Sequence, residues 1–557
     1  MTVKSENKLI PVSCFLIHIF PTGSFKSTEQ DIIAQKLFKP RKDCENFYLN
    51  SPINWEAPSH KTDRNWRMQL QGWTMFHPVM NLFDAYKDKQ SALLYFFNVV
   101  ESWMSVYADD NEHVVTSRMP DSYAWYDMSV GFRALIIAFF KNRINVHNLS
   151  VTHEQIALLD QLAQKHISNL TYERAFSLNN HGIFQAQGLM SLLETFPHLA
   201  NEAKRNYAFN LMERLVCSQF DCNGVHMEHS PHYHFYVLST FNAINSSGWY
   251  TASKIISDRI KKASEICKWI VDPLRRPVCI GDSILTEQNT VDFPDTCSAH
   301  IYSDFDASGY KVLRSGWATT ASKASMVFLM GAYFSKTHKH RDCLSFDWFD
   351  NGGRIICDGG KYGYKSDKYR KYCLSYAAHN NIEIDGFDIL KLKPYGSAIL
   401  PSQKLPNGIY KLSGELKFEA IKHLRSLYVK PGEWIVVEDV LNFAKPRNVR
   451  QRFHLETDFK LISKEGNEIV ARGKNGRALY IKHMTPHAEV NISFGDEDNM
   501  EGFASLEDYD IQPTLTLSFK CFVHKETLRT VFALNETAYR DALQFNPTHL
   551  NIFPSQN

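Results

Sequence analysis

Through the first half of the chain, apolar residues recur at three- and four-residue spacing. Between about residues 60 and 270 the segments Ala92–Tyr107, Phe132–Phe140, His153–Ile167, Phe184–Phe196, Glu202–Val216, Tyr236–Ile244 and Ala252–Val271 read as helices. Pro197 and Pro273 end two of them. Helix pairs joined by short turns, without clear strands, predict a layered α/α array. After about residue 300 the period becomes two. Ser325–Phe334, Leu344–Phe349, Arg354–Cys357, Asn381–Asp385, Glu433–Val440, Glu468–Ala471 and Thr514–Phe522 read as strands, several parted by glycine turns such as Asn351-Gly352-Gly353 and Pro431-Gly432. That pattern predicts an antiparallel β-sandwich. The expected fold is multidomain α+β, with helices over 1–290 and the sandwich over 300–557. Asp272-Pro273-Leu274-Arg275-Arg276-Pro277 reads as the linker.

Composition narrows the function only a little. A chain of 557 residues exceeds one compact core, so two or more domains are expected. Lys plus Arg is 62 against 60 for Asp plus Glu, which gives a net charge of +2 and argues against a broad electrostatic footprint for nucleic acid, with a local basic cleft left open. The eleven cysteines are scattered, with no CxxC pair, so neither a disulfide framework nor a cysteine zinc site is indicated. Lys4 and Lys8 precede an apolar run from Leu9 to Phe20 that Pro11, Ser13 and His18 interrupt. This is a poor match to a signal peptide; the expectation is no cleaved signal, with a cytoplasmic or periplasmic location left open. No stretch approaches the roughly 20 apolar residues of a membrane span. Oligomeric state is not readable.

Three polar segments carry the candidate chemistry. His338 and His340 stand two apart, just after the apolar run Met326–Phe334. On a regular strand they would share a face and could reach one metal. If the chain bends there, they could divide between catalysis and metal, and a polar strand end with solvated histidines fits equally well. Asn179-Asn180-His181-Gly182 precedes a helix. Asn179 or Asn180 could cap it, or an amide and an imidazole could meet an anion at the helix start. Between Asp221 and Tyr236 stand four histidines, Glu228 and two tyrosines. A helix starting at Pro231 would put Tyr233 and Tyr236 on one face. No nucleophile elbow, P-loop or dinucleotide fingerprint is present. Asn, His and Tyr without a clear carboxylate pair argue against ordinary glycoside hydrolysis and suit proton abstraction beside a carboxylate.

Asn179-Asn180-His181-Gly182, Ser230-Pro231-His232-Tyr233-His234, His338-x-His340-x-Asp342-x-Leu344-Ser345-Phe346, Asp358-Gly359-Gly360 and Ala378-His379-Asn380 together resemble the heparinase II/III-type polysaccharide lyases in order and spacing. The resemblance runs from about Trp66 to the late strands. It implies an incomplete (α/α) toroid followed by an antiparallel sandwich, and cleavage of uronic-acid-containing polysaccharide by β-elimination. Asn180 and His181 match the residues that neutralise the uronate carboxylate. Tyr233 matches the catalytic tyrosine, which protonates the departing O4 and, for one stereochemistry, removes the C5 proton; for the other, His181 is the base. His338 matches a histidine presented by the sandwich, and Tyr236 a second tyrosine near the site. Arg133 is a candidate to pair with a sugar carboxylate, a structural ion pair being the alternative. His340, Asp358 and His379 match the ligands of a structural zinc, which would brace the loop of His338; three buried, hydrogen-bonded polar groups without metal are the alternative. Lys339 stands where the family often has glycine, and either contacts an acidic chain or faces solvent. Two other readings stay open on the same scaffold: a uronyl C5-epimerase, and a non-catalytic protein that binds acidic glycans.

Overall fold

The structure is a computed structural model that describes residues 8–15, 33, 36–40, 44–50, 52–56, 63–116, 122–288, 290–294, 299–364 and 366–547. Lys4 and residues 16–20 of the N-terminal apolar run lie outside them. The chain forms two compact units, Met1–Cys222 with Tyr236–Lys261, and Asn223–Phe235 with Lys262–Asn557. Among the described residues no helix is long and apolar enough to cross a membrane.

The first unit is built from the helices Arg64–Gln71, His77–Leu82, Lys89–Tyr107, Met128–His147, His153–Leu170, Asn180–Thr195 and Glu202–Gln219. Side-chain caps set their starts more than the apolar spacing does. Asp63 accepts from Trp66 N–H, Asp88 from Ser91 N–H and Asn201 from Lys204 N–H, and Thr152 closes a reciprocal capping box with Gln155. Met128–His147 is apolar on every side because every side is covered: Val130, Ala134, Ile136, Ile137, Phe139 and Phe140 are all buried. The Phe96 ring stacks on Phe140 at 4.1 Å and joins this helix to Lys89–Tyr107.

The second unit is a two-sheet sandwich. One sheet has five antiparallel strands, in the order Ile301–Tyr302, Tyr310–Arg314, Met326–Met330, Phe346–Asp350 and Gly353–Ile356. The other has ten, and its spine is the antiparallel pair Trp434–His454 and Leu515–Ala533. Their register shifts between Asn442 and Arg447, the interval that holds Pro446, which cannot donate to the ladder. A shared core joins the sheets: Val327, Leu329, Phe346, Trp348 and Ile355 from the smaller, Leu427, Val437, Phe453, Leu517 and Phe532 from the larger. The small sheet's other face packs Val312, Phe328 and Met330 against Ile266, Ile270, Val278 and Ile280. Burial on both faces is why Met326–Met330 reads as a continuous apolar run.

The expected linker lies inside this second unit. Asp272 accepts from Leu274 N–H, Arg276 N–H and the Arg276 guanidinium, and Val271 pairs with Pro277. The proline-rich segment is therefore a closed, hydrogen-bonded turn.

Candidate functional site

In the first unit Asn179 caps the Asn180–Thr195 helix by accepting from His181 N–H, so Asn180 and His181 occupy its first turn. A side chain at Gly182 would overlap the Ser177 carbonyl, so the loop closes on this helix only because residue 182 is glycine. His181 Nδ1–H donates to Asp127 at 2.7 Å, and Ser177 donates to the other Asp127 oxygen at 2.7 Å. Burial pushes the Asp127 carboxyl up; the hydrogen bonds from His181 and Ser177 more than offset it and hold it below its ordinary value. Asp127 adopts φ +52°, a conformation that costs a non-glycine residue energy and aims the carboxylate at the imidazole. The His181 side chain stays 39% exposed.

Arg133 does not belong to a substrate site. It is 0% exposed and lies over the rings of Trp103, Trp73 and Trp125 at 4.4, 5.7 and 5.5 Å. Its guanidinium donates to His166 and to the carbonyls of Gln71 and Ala124. An aromatic cage and three neutral acceptors replace the expected carboxylate.

In the second unit Ser230 and Pro231 start the helix Pro231–Ser246, and Ser230 Oγ accepts from Tyr233 N–H. The Tyr233 ring stacks on His338 with centroids 4.0 Å apart, and the Tyr233 hydroxyl is hydrogen-bonded to that of Tyr364. Tyr236 follows one turn later, half-buried, and burial pushes its phenol up. Two other histidines of this segment, His229 and His234, are held by backbone hydrogen bonds. His229 accepts from Phe334 N–H and donates to the Thr337 carbonyl, which ties down the loop that carries His338; burial takes it to about 3. His234 donates to the Ala263 carbonyl, and burial takes it to about 4.

The chain bends at His338, which has φ +52°, and both neighbouring histidines reach one carboxylate, Asp282. His338 Nδ1–H donates to Asp282 Oδ2 at 2.7 Å, while its Nε2 lies 3.4 Å from Glu228. His340 Nε2–H donates to Asp282 Oδ1 at 2.8 Å. Arg370 grips both Asp282 oxygens at 2.5 and 3.1 Å. Burial pushes the Asp282 carboxyl up, yet these three donors hold it well below the carboxylate range. Lys339 does not face solvent and is not open to an acidic chain: it is 3% exposed and ion-paired with Asp342.

His379 Nδ1–H donates to Asp358 at 2.8 Å, and its ring centroid is 5.4 Å from that of His340. Both rings give one N–H to a carboxylate. The other nitrogens, His340 Nδ1 and His379 Nε2, are buried and have no hydrogen-bond partner among the described residues. That is the arrangement of metal-ligating imidazoles. As placed, Asp358 orients His379 and accepts from Ser345, and among the described residues no group of three or more His, Cys, Asp or Glu is arranged to hold a metal ion.

Sequence reasoning gave no role to Asp127, Glu228, Asp282, Tyr364 or Arg370. Single acidic residues carry no periodic signal. The hints are the place of Glu228 in the histidine-dense run, Gly281-Asp282 after an apolar run, and the glycine- and tyrosine-rich run 360–364.

Two family models match, "Heparinase II/III N-terminus" over residues 22–264 and "Heparinase II/III-like, C-terminal" over 299–533. A "Heparin-sulfate lyase" of Bacteroides thetaiotaomicron is 22% identical over 490 residues, 76% of this chain. The match spans 65% of that relative's own length. Among solved structures, a heparan sulfate lyase mutant from Pedobacter heparinus superposes with TM-score 0.66 at 15% identity, covering 95% of this chain and 86% of that one. A heparinase III structure gives 0.67 at 15% identity, covering 96% and 85%. The structures bear on the fold alone: helices first, then antiparallel sheets.

Proposed function

The chain belongs to the heparinase II/III family, and from that premise we propose that it is a polysaccharide lyase that cleaves uronic-acid-containing chains by β-elimination. The observation that carries the reading is the Tyr233 phenol, stacked on His338 and hydrogen-bonded through its hydroxyl to Tyr364. A phenol fixed at both its ring and its oxygen is pre-oriented for proton transfer. The curated relative named a heparin-sulfate lyase supports an acidic polysaccharide as substrate.

In this reading Asn180 and His181 neutralise the uronate carboxylate, so that charge developing there as C5 loses its proton is stabilised. His181 is oriented for this by Asp127. Tyr233 as tyrosinate, or neutral His181 when the proton lies on the opposite face and Tyr233 is a phenol, takes the C5 proton. The C5–H electron pair becomes the C4–C5 double bond, the C4–O4 bond breaks, and Tyr233 gives a proton to the departing O4. His338 supports the Tyr233 ring.

A zinc ion fits the chemistry of the two unpartnered imidazole nitrogens. His340 and His379 would hold it, with Asp358 beside them, and it would supply rigidity to the loop of His338.

The test is a screen of defined uronic-acid polymers read by ultraviolet absorbance of the unsaturated product. Absorbance with shortening of one such polymer is expected. Solvent deuterium at C5 without shortening would instead make the protein an epimerase, and tight binding without turnover, indifferent to replacement of His181 and Tyr233, a glycan-binding protein.

A further inference from the structure

One buried carboxylate holds together the groups that surround the Tyr233 phenol, and the steps above give it no part. Asp282 is 0% exposed. Its oxygens take Nδ1–H of His338, Nε2–H of His340 and two N–H groups of Arg370. Two arms lead from it to Tyr233. Through the first, Asp282 fixes the plane of the His338 ring, which stacks on the Tyr233 ring. Through the second, it fixes Arg370, whose guanidinium lies 5.3 Å from the Tyr364 ring, and the Tyr364 hydroxyl bonds that of Tyr233.

The backbone around Asp282 is built to the same end. Ser230 Oγ donates to the Asp282 carbonyl, and Ser283 Oγ accepts from His232 N–H. The turn bearing Asp282 is thus fastened to the first turn of the helix bearing Tyr233. Gly281 adopts φ +62°, and a side chain there would overlap the His229 carbonyl, so the turn approaches this closely only with glycine.

We infer that Asp282 is the positioning residue of this site: it sets the ring orientation and tautomer of His338 and, through Arg370 and Tyr364, the place of the Tyr233 hydroxyl. The inference rests on the lyase reading for its kinetic consequence, but not for its structural one. An oxygen that accepts an N–H keeps the proton on His338 Nδ1; an amide in its place can present the wrong group.

Asp282→Asn in the full chain, assayed on whichever polymer the wild type cleaves, is expected to lower kcat about 100-fold while KM stays within about threefold. Added to His338→Gln, it is expected to cost clearly less than its full factor, only the share carried through Arg370 and Tyr364. A kcat within about threefold of wild type, or losses that multiply in the double variant, overturns the inference. If D282N does not accumulate folded, Arg370→Lys keeps the cation and loses the two-pronged grip. Its loss of about tenfold in kcat should then not multiply with Tyr364→Phe, and multiplied losses count against the inference. If the wild type cleaves no polymer, the lyase reading fails by itself. Crystals of D282N then decide the inference: a turned His338 ring and a displaced Arg370 are expected, and both unchanged overturns it.

Discussion

The rings of Tyr233 and His338 lie 4.0 Å apart and are inclined by 26°. They come from segments more than 100 positions apart, and the phenol edge left open carries the bond to Tyr364. The arrangement separates two roles that a tyrosine pair could otherwise share. Tyr233 is clamped at ring and oxygen, whereas Tyr364 is 44% exposed and clamps only by its hydroxyl.

Tyr233→Phe is therefore expected to lower kcat by a factor of about 1,000 or more, since no other group replaces the proton donor. Tyr364→Phe removes one hydrogen bond and leaves the donor, so a loss of about tenfold is expected. Initial rates of ultraviolet absorbance on the same polymer compare the two. A reversed order, with Y364F the more damaged, would transfer the proton-donor role to Tyr364.

Arg133 makes a prediction about stability, not turnover. Replacing it by Met leaves the carbonyls of Gln71 and Ala124 and the His166 Nε2 without their donor, inside a cage of three tryptophans. Each orphaned acceptor costs about 1–3 kcal/mol, so R133M is expected to lose about 3 kcal/mol or more in urea denaturation. KM of the folded fraction should be unchanged. A raised KM without loss of stability would return Arg133 to the substrate.

Much of this molecule was legible in its residues. Helix–helix and strand–strand periods separate near residue 300, and His181, Tyr233 and His338 stand in short runs dense in polar groups. Other features depend on pairing across the chain. The strands Tyr410–Phe418 and Ile421–Lys430 form a hairpin of the large sheet yet show no marked apolar run, because their neighbours decide which face is covered. The strand starting at Trp434 continues past Val440 to His454 because it pairs along most of its length with Leu515–Ala533. Asp127 and Asp282 acquire their roles only when the fold brings a histidine to each. Arg133 shows the opposite failure: a charged residue in a promising segment was drawn inside by aromatic rings the sequence does not align with it.

Asp347 gives the unit of sheets a pH dependence. Arg354 donates to Glu456 at 2.6 Å and stands 3.8 Å from Asp347, so its charge is already answered. Burial pushes the Asp347 carboxyl up from 3.8 to about 7, which Arg354 only partly opposes. A carboxyl raised on folding stabilises fully below its unfolded value near 3.8, and that contribution fades as pH rises through about 7. Asp347→Asn cannot ionise. Relative to wild type, its stability should therefore improve between about pH 5 and pH 8 in urea denaturation. A difference that stays constant over that range would show that Asp347 is ionised throughout.

The last expectation concerns metal. His340 Nδ1 and His379 Nε2 are buried nitrogens without a partner, and burial holds His340 below its ordinary value, in the neutral form a metal requires. Two desolvated acceptors without any partner would cost about 1–3 kcal/mol each. Protein purified without chelator is expected to carry about one zinc per chain by elemental analysis, and His379→Ala about none. Two residues from His340, His338 holds φ +52°, a conformation that relaxes unless its surroundings fix it. Chelation should therefore lower both the thermal midpoint and kcat, with zinc restoring both. Wild-type protein that binds no zinc even when grown and dialysed with it, and whose midpoint ignores chelator, would mean that hydrogen bonds to Asp282 and Asp358 alone secure these rings.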